Sequence, residues 1–342
     1  MGDYMKHLTL NVPFSECEYY TCDYVALDAL IRFYGYDTPY LIHRHWFFMY
    51  ERLDGGEFVT LPRCVPIIKC IGDFGIRVIE RVETDPDIAW RKTKARIESG
   101  HPVAALADTY HLESHYYPGL GHHSGHFVVV AGFDDELDTV HVIDPSWIVR
   151  FRGDLPLSDF KEAWKSQSTS EYKWVEIHPP DSLPIRAPKR DLQNIWTNIQ
   201  LMLHGDLPSP AQFMGLKALH LLSDDLAQWK NLEMDRARVN LKLLIDQLQN
   251  TVTERDGHGR YLRHVAERLE EPKFAHIADS LTLITQRWVV FRNLCVRARR
   301  KALNETLEKL YHRLLEIKSL EESALLKMKE HVLSLKDFPG QT

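Results

Sequence analysis

The chain has 342 residues, 44% of them hydrophobic and 26% charged, which is enough for about two globular domains and unlike a disordered chain. Its net charge of −6 comes without a dense basic stripe, which argues against a nucleic-acid binder, and no run of 18 apolar residues offers a membrane span. Five cysteines at irregular spacing, none in a CxxC pair, argue against a disulfide framework or a thiolate zinc site and for a reducing, cytoplasmic setting. The opening MGDYMKHLTL lacks the apolar core of a secretory signal, and Lys6 stands where a myristoylation motif needs Ser or Thr. Residues 1–185 carry 17 Lys and Arg against 28 Asp and Glu, a balance of −11. Residues 186–342 carry 25 against 20, a balance of +5.

In chain order the first strong element is CDYVALDALIRFYG. Leu27, Leu30, Ile31 and Tyr34 recur at i, i+3, i+4 and i+7, an amphipathic helix with Gly35 as its stop. Cys22 then lies in or beside the first turn, where the helix dipole and unpaired N–H groups favour a thiolate. Cys17, five residues earlier, is the rival thiol. After the loop-rich GGEFVTLPRC comes DIAWRKTKARIESG (87–100), a charged helix stopped by Gly100. HPVAALADTY, HFVVVAGF, DTVHVIDP and YKWVEIHP read as strands rich in Val, Ile and aromatics. This mixture predicts an α+β domain over 1–180.

The proline-rich HPPDSLPIRAPKR marks a linker at 181–190, and 191–342 reads as an all-α helical domain. Leu241, Leu244, Ile245, Leu248 and Val252 make one apolar stripe. Leu303, Leu307, Leu310, Leu314 and Ile317 make a second, broken by Glu321. Both read as helical-bundle core, with a homodimer seam as the second reading of the latter.

Chemistry concentrates in GHHSGHFVVVAGFDDELDTVHVIDPSW, a hairpin of strands 126–133 and 139–144 about an acidic turn. If residue 133 faces 139, paired numbers sum to 272. Asp144 then lies opposite Val128, one diagonal step from His126 on the same face. An odd sum would send the two to opposite faces. A His oriented by an Asp, with a Cys nucleophile, makes a Cys22–His126–Asp144 triad. The loop before the base is rich in His, Tyr and Gly. Its glycines break any helix that could align metal ligands, so no metal is expected, and a substrate-binding lip is the better reading.

At these residues the chain resembles a known group. The Cys helix and the His–Asp hairpin are similar to those of papain-like cysteine enzymes. PVAALADTYHLESHYYPGLGHHSGHFVVVAGFDD more closely resembles the N-terminal domain of the butirosin biosynthesis protein H-like family. GLKALHLLSDDLAQW and GHGRYLRHVAERL resemble the helical domain that commonly follows it.

The resemblance implies a papain-like domain, with a nucleophile helix packed on an antiparallel sheet. It also implies acyl transfer in antibiotic-like biosynthesis, from an acyl or peptidyl carrier-protein thioester to a small amine. In that reading Cys22 is the nucleophile, His126 the base and Asp144 the orienting acid. Asp108, Tyr110, His111 and His123 are substrate-binding candidates. No cofactor is implied, and phosphopantetheine enters only as part of the donor. The papain-like pattern places a Gln six residues before the Cys; here Glu16 stands there, so Glu16 and Tyr20 are candidates at the oxyanion position. The basic run VRARRK (296–301) is the candidate surface for an acidic carrier protein.

Overall fold

The computed structural model describes residues 6–16, 19–36, 41–53, 58–61, 67–112, 122, 125–145, 150–165, 170–181, 188–205, 212–300 and 303–335. In chain order its strands and α-helices are β1 (His7–Thr9), α1 (Cys22–Phe33), β2 (Met49–Leu53), β3 (Phe58–Thr60), α2 (Ile67–Gly72), β4 (Arg77–Glu83), α3 (Pro86–Glu98), β5 (Val103–Ala107), β6 (His126–Asp134), β7 (Thr139–Asp144), β8 (Phe151–Pro156), α4 (Leu157–Trp164), β9 (Tyr172–His178), α5 (Pro188–His204), β10 (Gln212–Met214), α6 (Gly215–Gln228), α7 (Met234–Leu269), α8 (Pro272–Arg300) and α9 (Leu303–Ser334).

The chain divides into two compact units. One is Met1–Thr38 with Ile67–Pro184, the other Pro39–Pro66 with Ile185–Thr342. The first unit is α+β, built on an antiparallel sheet in the order β4-β9-β5-β6-β7-β8, with β1 added along β6. Its central strands are near-continuous apolar runs because both faces are covered. Val103, Val128, Val130 and Val142 pack with Ala89 and Ile97 of α3 and with Phe160 and Trp164 of α4. The helix α1 packs against β5 and β6. The edge strands β4 and β8 were not evident in the sequence. An edge strand is only partly covered, so RVIERVE and FRGDLP keep their charges and lose clean alternation.

The second unit is helical, with a small antiparallel sheet in the order β10-β2-β3. The boundary at Pro184/Ile185 falls inside the expected 181–190, but residues 39–66, expected in the first domain, group with the helices. The physical reason is their bonding. The strand β2 pairs with β10, the Asn198 side-chain amide donates to the Arg44 carbonyl at 2.7 Å, and the Arg255 guanidinium donates to the Phe47 carbonyl. Of the expected linker, residues 182–187 lie outside the described residues, and α5 begins at Pro188.

Leu241, Leu244, Leu248 and Val252 are fully buried in this unit, as are Leu310, Leu314 and Ile317, with Leu307 nearly so. The second stripe therefore faces the chain's own core rather than a second copy. The side chain of Leu303 lies outside the described residues. Glu321 does not break the stripe. It is fully buried on the same helix face, where its carboxylate accepts from Arg255 Nε at 3.0 Å, Arg255 Nη2 at 3.1 Å and Trp288 Nε1 at 2.8 Å. A buried carboxylate persists only when its charge and lone pairs are met in this way.

Glu321→Ala leaves the Arg255 guanidinium buried without its counter-charge. It should destabilise the protein by about 3–5 kcal/mol, read from urea denaturation. The double replacement Arg255→Met/Glu321→Leu should recover most of that loss. A double variant no more stable than the single one would contradict the account.

Candidate active site

Cys22 opens α1. Thr21 is the extended N-cap (φ −70°, ψ 159°), and its carbonyl accepts the first helical bond from Val25 N–H at 2.9 Å. At the other end Gly35 takes φ +78°. Gly35 N–H bonds to Arg32 O at 2.9 Å and Tyr36 N–H to Ile31 O at 3.3 Å, the two bonds of a Schellman stop. Both helix ends thus agree with the sequence pattern. Cys22 is a partly exposed cysteine outside any disulfide, at the positive end of the dipole. Its Sγ donates to the Gly125 carbonyl at 3.6 Å, in the residue before His126.

His126 and Asp144 meet, but by a different register from the simple one. At the turn the pairs are Asp134↔Thr139, Phe133↔Val140 and Gly132↔His141, an odd sum that carried through would separate His126 from Asp144. Between Val130 and Gly132 the register shifts, and Val130↔Val142 and Val129↔Ile143 follow with an even sum. The extra residue is Ala131, a β-bulge. Burial records the same shift: Val128, Val130 and Phe133 share one core, at spacings of two and then three. Beyond the bulge His126 and Asp144 fall on one face, and Nε2 of the ring lies 2.6 Å from Asp144 Oδ2. The bulge is held by β1: Leu10 N–H donates to Ala131 O at 2.7 Å. A Cβ on Gly132 would come within 2.3 Å of the Leu8 carbonyl, so only glycine fits there.

Asp144 is fully buried and His126 nearly so. Burial by itself would lower the imidazole pKa. The hydrogen bonds to Asp144 and to Cys22, and the negative charges of both, outweigh it and raise the pKa from 6.5 to about 9. At neutral pH the arrangement favours an imidazolium between a carboxylate and a thiolate.

Residues 22–145 match the family described as Butirosin biosynthesis protein H, N-terminal. Residues 165–328 match the Domain of unknown function (DUF4872). The chain belongs to the butirosin biosynthesis protein H-like family. No curated protein matches it. The family's N-terminal match begins at Cys22 and ends one residue after Asp144, so it spans the three residues brought together here.

In this member of the family the other expected residues divide. Glu16 is exposed, and its carboxylate accepts from Arg32 Nη2 at 2.6 Å. Six residues before Cys22 there thus stands an ion-paired carboxylate, not a bare one. Tyr20 is buried, edge-on to Tyr24 at 5.8 Å between ring centres. Asp108, Tyr110 and His111 do cluster, but around His122. Asp108 Oδ2 lies 3.1 Å from His122 Nδ1, and the Tyr110 ring stacks on His122 at 4.1 Å. His111 is edge-on to Tyr110 at 5.3 Å. His123 and Cys17 lie outside the described residues. His122 was not singled out in the sequence, since nothing local distinguishes it from its neighbours. Among the described residues no three His, Cys, Asp or Glu side chains converge as a metal site requires, and no helix is long and apolar enough to cross a membrane.

Asp144→Asn removes the main support of the imidazolium and leaves burial acting alone with Cys22. By NMR titration His126 should fall from about 9 to nearer its ordinary 6.5. An unchanged titration would mean that Asp144 does not hold the ring. Gly132→Ala should lower stability by about 1–3 kcal/mol, because β1 must move off the bulge. Thermal melting with and without the change measures it.

Proposed function

We propose that this protein is a cysteine-dependent N-acyltransferase of antibiotic-like biosynthesis, with a papain-like catalytic unit. The observation that carries the reading is the buried His126–Asp144 pair bonded to Cys22 at a helix N-terminus. A helix opening on the nucleophile, with base and acid on neighbouring antiparallel strands, is the arrangement of papain-like enzymes. The family's name connects it to butirosin biosynthesis, which favours an enzyme that builds a product. A Glu in place of the papain-like Gln at position 16 would favour an inert binding scaffold of the same fold, and its pairing with Arg32 weakens that alternative.

In the first step the Cys22 thiolate attacks an acyl thioester, and the His126 imidazolium protonates the departing thiolate. His126 is then neutral. In the second step an amine attacks the acyl-enzyme, His126 takes its N–H proton, and Cys22 leaves as thiolate. The resting ion pair is restored and an amide is released. Asp144 keeps the ring oriented through both steps. The donor is an acyl or peptidyl carrier protein whose phosphopantetheine bears the thioester, and no other cofactor takes part. Exposed Arg297 and Arg299 of α8 give the helical unit a basic surface for an acidic carrier.

The test uses the acetyl thioester of N-acetylcysteamine and intact mass spectrometry. An acetyl adduct should form on the wild type and be absent from Cys22→Ala. Asp144→Asn should form it slower by orders of magnitude, about 10⁴-fold where a triad loses its orienting acid. Addition of an amine should discharge the adduct as amide faster than water does. An adduct that survives Cys22→Ala overturns the assignment. Discharge to acetate at the same rate with and without amine makes the enzyme a hydrolase.

A further inference from the structure

A second His–carboxylate pair stands beside the first. Asp108 directly follows Ala107, and Ala107 is the cross-strand partner of His126. Asp108 is 1% exposed. One of its oxygens accepts from Tyr110 N–H at 3.1 Å, and the other lies 3.1 Å from His122 Nδ1. His122 stands three residues before Gly125, whose carbonyl meets Cys22 Sγ. Its side chain is 52% exposed and Tyr110 is 48% exposed, with the two rings stacked. So a buried carboxylate orients a half-exposed imidazole three residues along the chain from the carbonyl that meets Cys22. The bond to Asp108 sets the tautomer with the proton on Nδ1, which makes Nε2 the basic nitrogen. His122 is faced by Asp108, Tyr110 and His111.

The transfer proposed above leaves one proton unassigned. His126 takes a proton from a neutral amine during attack. An alkylamine arrives at neutral pH as an ammonium ion and must lose another proton first. We infer that His122, oriented by Asp108, receives the cationic amine acceptor against the Tyr110 ring and takes its proton at Nε2. The ammonium N–H bond breaks, the neutral amine goes on to the acyl-enzyme, and the His122 imidazolium releases the proton to bulk water. A cation is also attracted to the Tyr110 face and to the buried Asp108 charge. The acceptor class is thus a basic amine. The inference rests on the acyltransferase reading and assigns acceptor deprotonation to a residue outside the triad.

The experiment loads Cys22 with acetyl from the N-acetylcysteamine thioester and discharges it with one of two amines. Propylamine is cationic at neutral pH, and hydroxylamine is already neutral there. In His122→Gln, discharge to propylamine should slow by about a hundredfold at pH 7, the lower edge of a general-base contribution. The defect should shrink as pH rises and the amine deprotonates itself. Discharge to hydroxylamine and the loading rate should stay within about twofold, which also reports an intact fold. Asp108→Asn, a positioning change, should give the same selectivity more weakly. Equal slowing with both acceptors, or with neither, while loading stays normal, overturns the inference alone. Failure of the wild type to load acetyl on Cys22 overturns the transferase reading and this inference with it.

Discussion

One buried hydrogen bond, from His126 to Asp144 across a strand pair, constrains much of the first unit. Both groups lie out of water, and neither charge is tolerable there without the other. To meet, they must share a face of the sheet. The acidic turn starts the hairpin in a register that would part them, and the bulge at Ala131 adds the residue that restores it. The strand β1 covers the bulged stretch of β6, and Gly132 lets it approach. The N-terminal strand, the glycine and the bulge are therefore parts of one device for aiming two side chains.

The same pair sets the electrostatics of the thiol. An imidazole as buried as His126 is ordinarily neutral, since desolvation disfavours its charged form. Here the hydrogen bonds and negative charges of Asp144 and Cys22 outweigh that cost and raise the pKa to about 9. The helix N-terminus adds its partial positive charge on the sulfur side. Glu16 brings a negative charge to the stretch before α1, but Arg32 pairs with it. The local field thus favours a thiolate without requiring a neutral Glu16.

The helical unit shows the same rule in a structural setting. Arg255 and Glu321 are buried without exposure, and each is satisfied: the carboxylate by three N–H donors, the guanidinium also by the Phe47 carbonyl. Such a pair adds little net stability over a packed apolar pair, but it discriminates sharply between arrangements. Its bond to Phe47 helps to place residues 39–66 among helices far away in sequence. His43 and His258 in the same region are pushed down to about 3 by burial, so both are neutral in the core.

The sequence by itself determined what depends on neighbours along the chain. The helix from Cys22 to its glycine stop, the strands HFVVVAGF and DTVHVID and the apolar helical stripes follow from short-range periodicity and end signals, and the structure has each of them. Only the tertiary structure decided what depends on contacts between distant segments. The bulge at Ala131 leaves no local mark, because one extra apolar residue in an apolar run keeps the run apolar. The strands β4 and β8 read as polar since an edge has one neighbour instead of two. Glu321 read as a break because a lone carboxylate in a stripe has no visible partner until Arg255, 66 residues earlier, is folded against it. His122 became a distinct residue only when Asp108 and Tyr110 closed around it. Periodicity is a one-dimensional signal, and the pairing of buried charges is a three-dimensional one.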